Sequence, residues 1–176
     1  MRHTLYVILA QDLGLKNMMN IRKVTENDCE DLWNIFKEVV DEGNAFTSDS
    51  SVTLDKFKNM WVNENTNIAE IDDKIIGGYN IFSFNSGRGS HICCGAYMIK
   101  KDYRGKGAGY LLGKHSLQFA KGIGFKAIQF NCIVSTNKVA IRLWKKLGFK
   151  IKGKIPKAFN HKDLGYVDTY IMHRFL

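Results

Sequence analysis

Proline is nearly absent from this chain, with one occurrence in 176 residues. No segment is low in complexity, and 45% hydrophobic with 24% charged residues is an ordinary globular composition. These features argue against large-scale disorder. The length suits one domain with a sizeable core, and no linker or internal repeat divides the chain.

Cysteine is also sparse, and its spacing excludes several classes of protein. The chain has no Cys-x-x-Cys pair and no zinc-finger spacing, so we predict no metal site. A disulfide framework is not expected in a domain of this size, and we predict a reducing compartment, the cytoplasm. The four cysteines are Cys29, Cys93, Cys94 and Cys132.

Long hydrophobic runs are missing as well, so we expect no membrane-spanning segment. The apolar residues 5–10 form a run shorter than a secretory signal usually has, and no small-residue cleavage pattern follows it. We therefore expect residues 1–19 to be an N-terminal extension outside the fold. Residues 20–176 are expected to form the folded domain.

Acidic residues are in the minority, because 26 Lys and Arg against 17 Asp and Glu give a formal net charge of +9. Such a balance favours anionic partners, which include nucleic acid, an acidic surface or a phosphorylated small molecule. The basic residues are scattered and no nucleic-acid motif accompanies them. A nucleic-acid partner is therefore not favoured.

The hydrophobic pattern predicts strands and helices in the order βααβββαβαββ, which is a single mixed α/β (α+β) domain. Helices are expected after Thr25 or Asn27, at Thr53, after the glycine-rich segment near residue 109, and after a cap at Ser135 or Thr136. Gly148 is placed to end the last helix. Strands are expected near residues 21–25, 66–71, 75–84, 91–99, 126–134, 149–155 and 167–175, with a polar and aromatic loop between the last two.

Three alternating glycines, Gly105, Gly107 and Gly109, stand immediately before an apolar-periodic helix. Glycine lets the backbone turn and approach a ligand closely. Successive N–H groups at a helix start then converge on an anion, and the helix dipole adds to the attraction. With the positive charges of Arg104 and Lys106, this segment is typical of a pyrophosphate site.

Other glycine-rich nucleotide motifs do not fit this spacing. A dinucleotide fingerprint needs glycine where Tyr110 stands, and a P-loop needs Ser or Thr where His115 follows Gly113 and Lys114. The companion motifs of protein kinases are absent. A glycine-rich turn with no ligand stays open as the alternative.

Two segments resemble a known family. Residues 104–109 (Arg-Gly-Lys-Gly-Ala-Gly) match the Arg/Gln-x-x-Gly-x-Gly/Ala motif of the GCN5-related N-acetyltransferase (GNAT) superfamily. Residues 137–149 resemble its second signature, Asn-x-x-Ala, then Leu-Tyr, then Gly-Phe. The order of elements agrees, and the resemblance covers roughly residues 21–176.

The resemblance implies a mostly antiparallel sheet flanked by helices, with acetyl-CoA as the acetyl donor. Asn137 matches an asparagine that contacts the cofactor arm, although it could equally cap its helix. The strand before the glycine loop is expected to bind the pantetheine amides through Met98, Ile99 and Lys100. The pyrophosphate is expected on the backbone of Arg104, Gly105, Lys106, Gly107, Ala108 and Gly109.

Trp144 departs from the family pattern, because many members have there a tyrosine that protonates the departing thiolate. An indole N–H cannot do so at neutral pH, and Trp144 lies on the apolar stripe of its helix. We therefore assign it to packing. His115 is also expected in the core, because it falls on the apolar side of its helix. Cys93, Cys94 and Cys132 are expected to be small core residues, and the direct transfer typical of the family needs no acyl-enzyme.

The acceptor side is less defined, because the strand at residues 91–99 contains no carboxylate. Asn131 is predicted to face the cleft, or to be an ordinary sheet polar group. Tyr166 and Asp168 are the preferred acceptor-side pair, with ordinary loop and strand-edge roles as the alternative. The candidates for the general base are His91, Asp41, Glu42, Asp163 and Asp168.

We predict an N-acetyltransferase that moves acetyl from acetyl-CoA to a primary amine in a ternary complex. A small-molecule acceptor is favoured, because no extra module is present to dock a large one. The alternatives are a non-catalytic acyl-CoA sensor and a basic nucleic-acid-binding protein. A homodimer is compatible with the sequence, and the identity of the acceptor stays open.

Overall fold

The computed structural model describes residues 19–83 and 85–176. Except for Met19, which is buried against the sheet, the extension expected at residues 1–19 lies outside the described residues. The strands and helices follow the predicted order βααβββαβαββ. They are β1 (Asn20–Lys23), α1 (Cys29–Asp41), α2 (Leu54–Trp61), β2 (Thr66–Ile71), β3 (Lys74–Ser83), β4 (Ile92–Ile99), α3 (Ala108–Gly122), β5 (Ala127–Val134), α4 (Lys138–Lys146), β6 (Lys150–His161) and β7 (Gly165–Phe175).

One seven-stranded sheet organises the described chain, in the order β1-β2-β3-β4-β5-β7-β6. Every neighbouring pair is antiparallel except β4 and β5, which are parallel. This confirms the predicted mixed α/β class and the mostly antiparallel sheet. The single parallel pair stands in the middle of the sheet, where the cleft opens.

The helices cover the two faces of the sheet and create two cores. On one face α1 and α2 pack on β2 and β4, with Leu32, Ile35 and Phe36 buried at helical spacing. On the other face α3 and α4 pack around a cluster that includes Phe130 and Trp144. Burial of each such side chain is worth about 1.5–3 kcal/mol, so the two layers hold the strands from both sides.

Two boundaries, the start of α4 and the end of β6, differ from those expected from the sequence. The cap of α4 is Asn137, whose side chain accepts a hydrogen bond from the N–H of Ala140 at 3.0 Å, and not Ser135 or Thr136. Strand β6 continues to His161 where a loop was expected after residue 155. Pro156 fits there because β6 is an edge strand with its pairing interrupted between Ile155 and Phe159.

Candidate active site

A cleft opens where the two central strands separate. Strands β4 and β5 pair only at Ile92 with Ala127 and at Cys93 with Ile128. Beyond Cys93 the two strands diverge, so the β5-facing main chain of β4 has no strand partner there. An extended ligand with amide groups can bind such a strand edge as an additional strand would.

The glycine loop closes one end of this cleft. Gly105 and Gly107 have φ values of 73° and 88°, which favour glycine, and α3 begins immediately after Gly107. Among the loop and cap hydrogen bonds of the described residues, no backbone N–H of residues 105–109 has a backbone acceptor. The first turn of α3 thus presents several N–H groups and the positive end of its dipole, as a pyrophosphate site requires.

Arg104 differs from the rest of the predicted loop. Its backbone N–H donates to the carbonyl of Lys101 at 3.1 Å. Its guanidinium forms ion pairs with Glu42 at 2.5 Å and Glu38 at 3.4 Å. Glu38 lies in the last turns of α1, and Glu42 directly follows that helix. The backbone of residues 105–109 and the side chain of Lys106 therefore remain as the groups that could hold a phosphate.

The three residues predicted to bind the pantetheine amides, Met98, Ile99 and Lys100, do not all face the cleft. The N–H of Lys100 donates to Ile76 on β3 at 2.8 Å, and the Met98 side chain is buried beneath α1 and α2. The carbonyl of Ile99 faces the other way and accepts a hydrogen bond from Nε of Arg104 at 2.7 Å. By strand alternation the main chain of Tyr97, which the sequence reasoning missed, also faces the cleft.

Asn137 has both ends of its amide engaged. Its oxygen caps α4, and its Nδ2 donates to the carbonyl of Asn44 at 3.0 Å. The helix-cap interpretation therefore holds in this structure, and the side chain also connects α4 with the chain that follows α1. Nothing in the sequence indicated a contact between residues so far apart.

Asn131 lies half-buried on β5, at an irregularity in the pairing with β7. Its Oδ1 accepts a hydrogen bond from Nε2 of Gln129 at 2.8 Å. This bond fixes the amide and leaves its N–H groups as the donors that Asn131 can offer to a ligand or a water. Burial raises the pKa of the neighbouring Cys94 thiol, which keeps that thiol protonated and unsuited to nucleophilic attack.

The preferred pair Tyr166 and Asp168 is not assembled as expected. Asp168 pairs with Nζ of Lys154 at 2.9 Å and accepts the N–H of Lys157 at 3.0 Å, and these contacts lower the pKa of its carboxyl group. A carboxylate stabilised in this way is a weak base. Tyr166 is 72% exposed at the start of β7. A catalytic role for this pair therefore has no geometric support.

Of the other base candidates, Glu42 is ion-paired, His91 is distant from the glycine loop, and Asp41 and Asp163 are exposed at the surface. His91 lies just before β4, at the strand end opposite the glycine loop, which places it roughly 25 Å from that loop at the usual rise per residue. Glu42 is ion-paired with Arg104, and Asp163 lies in the exposed turn between β6 and β7. Asp41 is exposed, and its carbonyl accepts a hydrogen bond from Nζ of Lys162 at 2.9 Å.

Of the residues assigned to packing, Trp144 and Cys93 are buried in the core, whereas His115, Cys94 and Cys132 are half-buried. Trp144 is 5% exposed and contacts the rings of Tyr97 and Phe130, each with ring centroids 4.6 Å away. His115 contacts the hydroxyl of Tyr79 at 2.9 Å, and burial lowers the pKa of its imidazole. Burial raises the pKa of the Cys93 thiol to about 12, so this cysteine is inert at neutral pH.

The mixed sheet, its flanking helices and the opening between β4 and β5 match the fold of the GNAT acetyltransferases. Residues 29–149 match the model of the acetyltransferase (GNAT) family. The chain therefore belongs to the GNAT family, whose acetyl donor is acetyl-CoA.

Similar proteins and structures agree with this membership. Over 106 residues the chain is 42% identical to N-acetyltransferase aca1 of Schizosaccharomyces pombe, and the match covers 58% of this chain and 51% of aca1. Over 104 residues it is 27% identical to Protein SPT10 of Saccharomyces cerevisiae, and the match covers 58% of this chain and 16% of SPT10. The chain thus spans about half the length of aca1 and a smaller part of SPT10.

Among solved structures, a GCN5-related N-acetyltransferase from Kribbella flavida superimposes with a TM-score of 0.86 at 32% identity, covering 90% of this chain and 98% of that one. The fold is also shared with yncA of Salmonella typhimurium, whose structure contains acetyl-CoA as its cofactor. That match has a TM-score of 0.80 at 22% identity and covers 90% and 94% of the two chains. Within residues 19–83 and 85–176, no helix has the length and apolarity to cross a membrane.

Proposed function

We propose that this chain transfers the acetyl group of acetyl-CoA to the primary amine of a small molecule in one direct step. The observation that carries this proposal is the position of the N–H groups of residues 105–109 at one end of the opening between β4 and β5. The loop would hold the pyrophosphate. The cleft-facing main chain of Tyr97 and Ile99 would hold the pantetheine arm.

The reaction makes three demands on the cleft. An alkyl amine has a pKa of about 10, so it must lose a proton before its nitrogen attacks the thioester carbon. The carbonyl oxygen then gains negative charge, which a backbone N–H of the unpaired β4 edge can stabilise. The carbon–sulfur bond breaks as the amide forms, the nitrogen gives up its second proton to solvent water, and the departing thiolate takes up a proton from solvent. Much of the rate comes from holding both reactants in one cleft.

The acceptor end of the cleft supports a small substrate. The chain after α1 contacts both the start of α4, through Asn44, and the turn between β6 and β7, through Lys162. We infer that these contacts limit the room for a large acceptor at that end of the cleft. We propose Asn131 as the acceptor-side contact, because Gln129 holds its oxygen and leaves its N–H groups to donate to the acceptor or to a water.

A cytoplasmic location remains part of the proposal. All four cysteines are free thiols in the structure, and this supports a reducing compartment.

The test is thiol release from acetyl-CoA with a panel of amines. The panel pairs free amino acids and small alkyl amines with short peptides that carry the same amine. We expect at least about tenfold higher kcat/KM for a small amine than for its peptide. A preference for the peptides would contradict the small-molecule acceptor. Binding of acetyl-CoA without thiol release for any amine would favour the non-catalytic sensor.

A further inference from the structure

The end of α1 and the residues after it, Glu38 to Asn44, connect three elements that surround the cleft. We call this segment the α1 strap. It contacts the chain between β4 and α3, the start of α4, and the turn between β6 and β7. Its side chains and carbonyls therefore meet both the donor side and the acceptor side of the cleft.

On the donor side the strap binds the segment that leads into the glycine loop. Glu38 accepts the backbone N–H of Lys101 at 2.6 Å and lies 3.4 Å from the guanidinium of Arg104. Glu42 contacts the same guanidinium at 2.5 Å. The Nε of Arg104 donates to the carbonyl of Ile99 at 2.7 Å. The planar fork of Arg104 thus joins α1 to the last residue of β4.

At its other end the strap reaches the start of α4 through Asn44. Its Oδ1 accepts the hydroxyl of Thr136 at 2.7 Å, and its carbonyl accepts Nδ2 of Asn137 at 3.0 Å. Just before it, Gly43 has a φ of +63°, and a Cβ there would lie 2.5 Å from Cβ of Lys162. The close approach of the two backbones at this point requires glycine.

The charges around Arg104 indicate how it acts. One guanidinium faces two carboxylates, so this cluster brings no net positive charge to a phosphate. Lys106, by contrast, forms no ion pair within residues 19–83 and 85–176. The attraction of the loop for an anion therefore comes from its N–H groups and Lys106.

We propose that Arg104 is a positioning residue, which sets the glycine loop through the α1 strap and does not touch acetyl-CoA. The proposal rests on the proposed acetyl-CoA site. It makes the strap part of the binding machinery, although no strap side chain need contact the cofactor. Its two glutamates strengthen acetyl-CoA binding despite their negative charge.

Whether the two glutamates strengthen or weaken acetyl-CoA binding tests this proposal directly. The variants are Arg104→Gln, the double variant Glu38→Gln/Glu42→Gln, and all three changes together. Acetyl-CoA binding is measured by titration calorimetry at about 50 mM and about 300 mM salt, which changes the screening of exposed charges. The Kd is measured separately from turnover, and circular dichroism establishes that each variant is folded.

We expect the double glutamate variant to weaken acetyl-CoA binding roughly three- to thirty-fold, and Arg104→Gln to weaken it by a similar factor. The triple variant should bind acetyl-CoA no more weakly than the double glutamate variant or Arg104→Gln, because all three side chains act as one unit. Arg104→Gln should keep the salt dependence of the wild type. The control Lys106→Gln should reduce that dependence, because it removes a charge that acts on the phosphates.

Tighter or unchanged acetyl-CoA binding in the glutamate variant would overturn the proposal, since freeing a phosphate-binding arginine would tighten it. A loss of salt dependence in Arg104→Gln equal to that in Lys106→Gln would also overturn it. If the wild type itself fails to bind acetyl-CoA, the proposed function fails instead. A charge-swapped variant, Arg104→Glu/Glu42→Arg, should regain part of the binding that Arg104→Glu loses.

Discussion

Asp28 is a nearly buried carboxylate that receives hydrogen bonds from two neighbours. The guanidinium of Arg22 donates to it at 2.8 Å, and so do the hydroxyl and the backbone N–H of Thr25, at 2.8 Å and 2.7 Å. The hydrogen bonds from Arg22 contribute most to lowering the pKa of Asp28, which falls from 3.8 to about 2. Arg22 also binds Glu70, so the network joins β1, β2 and the turn before α1.

This lowered pKa makes part of the stability depend on pH. Because the folded pKa lies below the unfolded one, the contribution is complete above about pH 4 and is lost as the pH falls towards 2. The Asp28→Asn variant should lose about 2 kcal/mol of unfolding free energy at pH 7 and show a smaller loss between pH 5 and pH 3 than the wild type. Urea denaturation over that pH range measures both effects.

The exposed Asp49 supplies a control for that measurement. Its carboxylate accepts hydrogen bonds from the nearby Ser51, in a loop at the surface. Asp49→Asn should change stability by less than about 0.5 kcal/mol. Equal losses in the two variants would show that the buried network is not the cause.

At the scale of elements, the contact between α3 and α4 depends on Gly113. A Cβ there would lie 2.5 Å from Cδ1 of Leu147 and 3.3 Å from the ring of Trp144. The absence of a side chain lets the two helices approach closely beneath the cofactor loop. Gly113 and Lys114, which fail the P-loop pattern, thus have a structural explanation.

Gly113→Ala should destabilise the protein by about 1–3 kcal/mol, because the added methyl group overpacks this contact. Gly122→Ala, near the end of the same helix, meets nothing within 4 Å and should be neutral or stabilise by up to about 1 kcal/mol. The free energy of unfolding in urea compares the two variants. A Gly113→Ala protein as stable as Gly122→Ala would contradict the close contact.

Local signals explain which elements could be predicted. The helices were identified from apolar spacing and the glycine loop from its motif, and both are confined to short stretches of chain. The extension of β6 to His161 was missed because an edge strand exposed on both sides lacks apolar alternation. The cap of α4 was placed one or two residues too early, because Ser135, Thr136 and Asn137 are all good caps.

At the scale of the whole molecule, the donor half of the cleft was more predictable than the acceptor half. The donor half uses consecutive residues of one loop. The environment of the predicted acceptor-side residue Asp168 depends instead on a contact between separate parts of the chain, its ion pair with Lys154. Asp168 was preferred as an acceptor-side residue from its place in the sequence, but Lys154 on the adjacent strand β6 pairs with its carboxylate and, with the N–H of Lys157, lowers its pKa.

The glycine loop contains Gly107, whose substitution gives the most direct test of acetyl-CoA binding by the whole protein. Gly107 and Gly124 both have positive φ values, 88° and 102°, so an alanine at either site should cost a similar strain of about 1–2 kcal/mol. Gly107 lies at the start of α3, where the pyrophosphate is expected, and Gly124 lies just beyond its other end. Comparison of the two alanine variants therefore distinguishes the effect of backbone strain from the effect of losing the binding site.

Titration of acetyl-CoA into the wild type, Gly107→Ala and Gly124→Ala tests the central claim most directly. We expect saturable binding by the wild type and by Gly124→Ala, and at least about tenfold weaker binding by Gly107→Ala, which is about 1.4 kcal/mol. Wild-type protein that does not bind acetyl-CoA at roughly millimolar concentration would contradict the account. So would a Gly107→Ala protein that binds as tightly as Gly124→Ala.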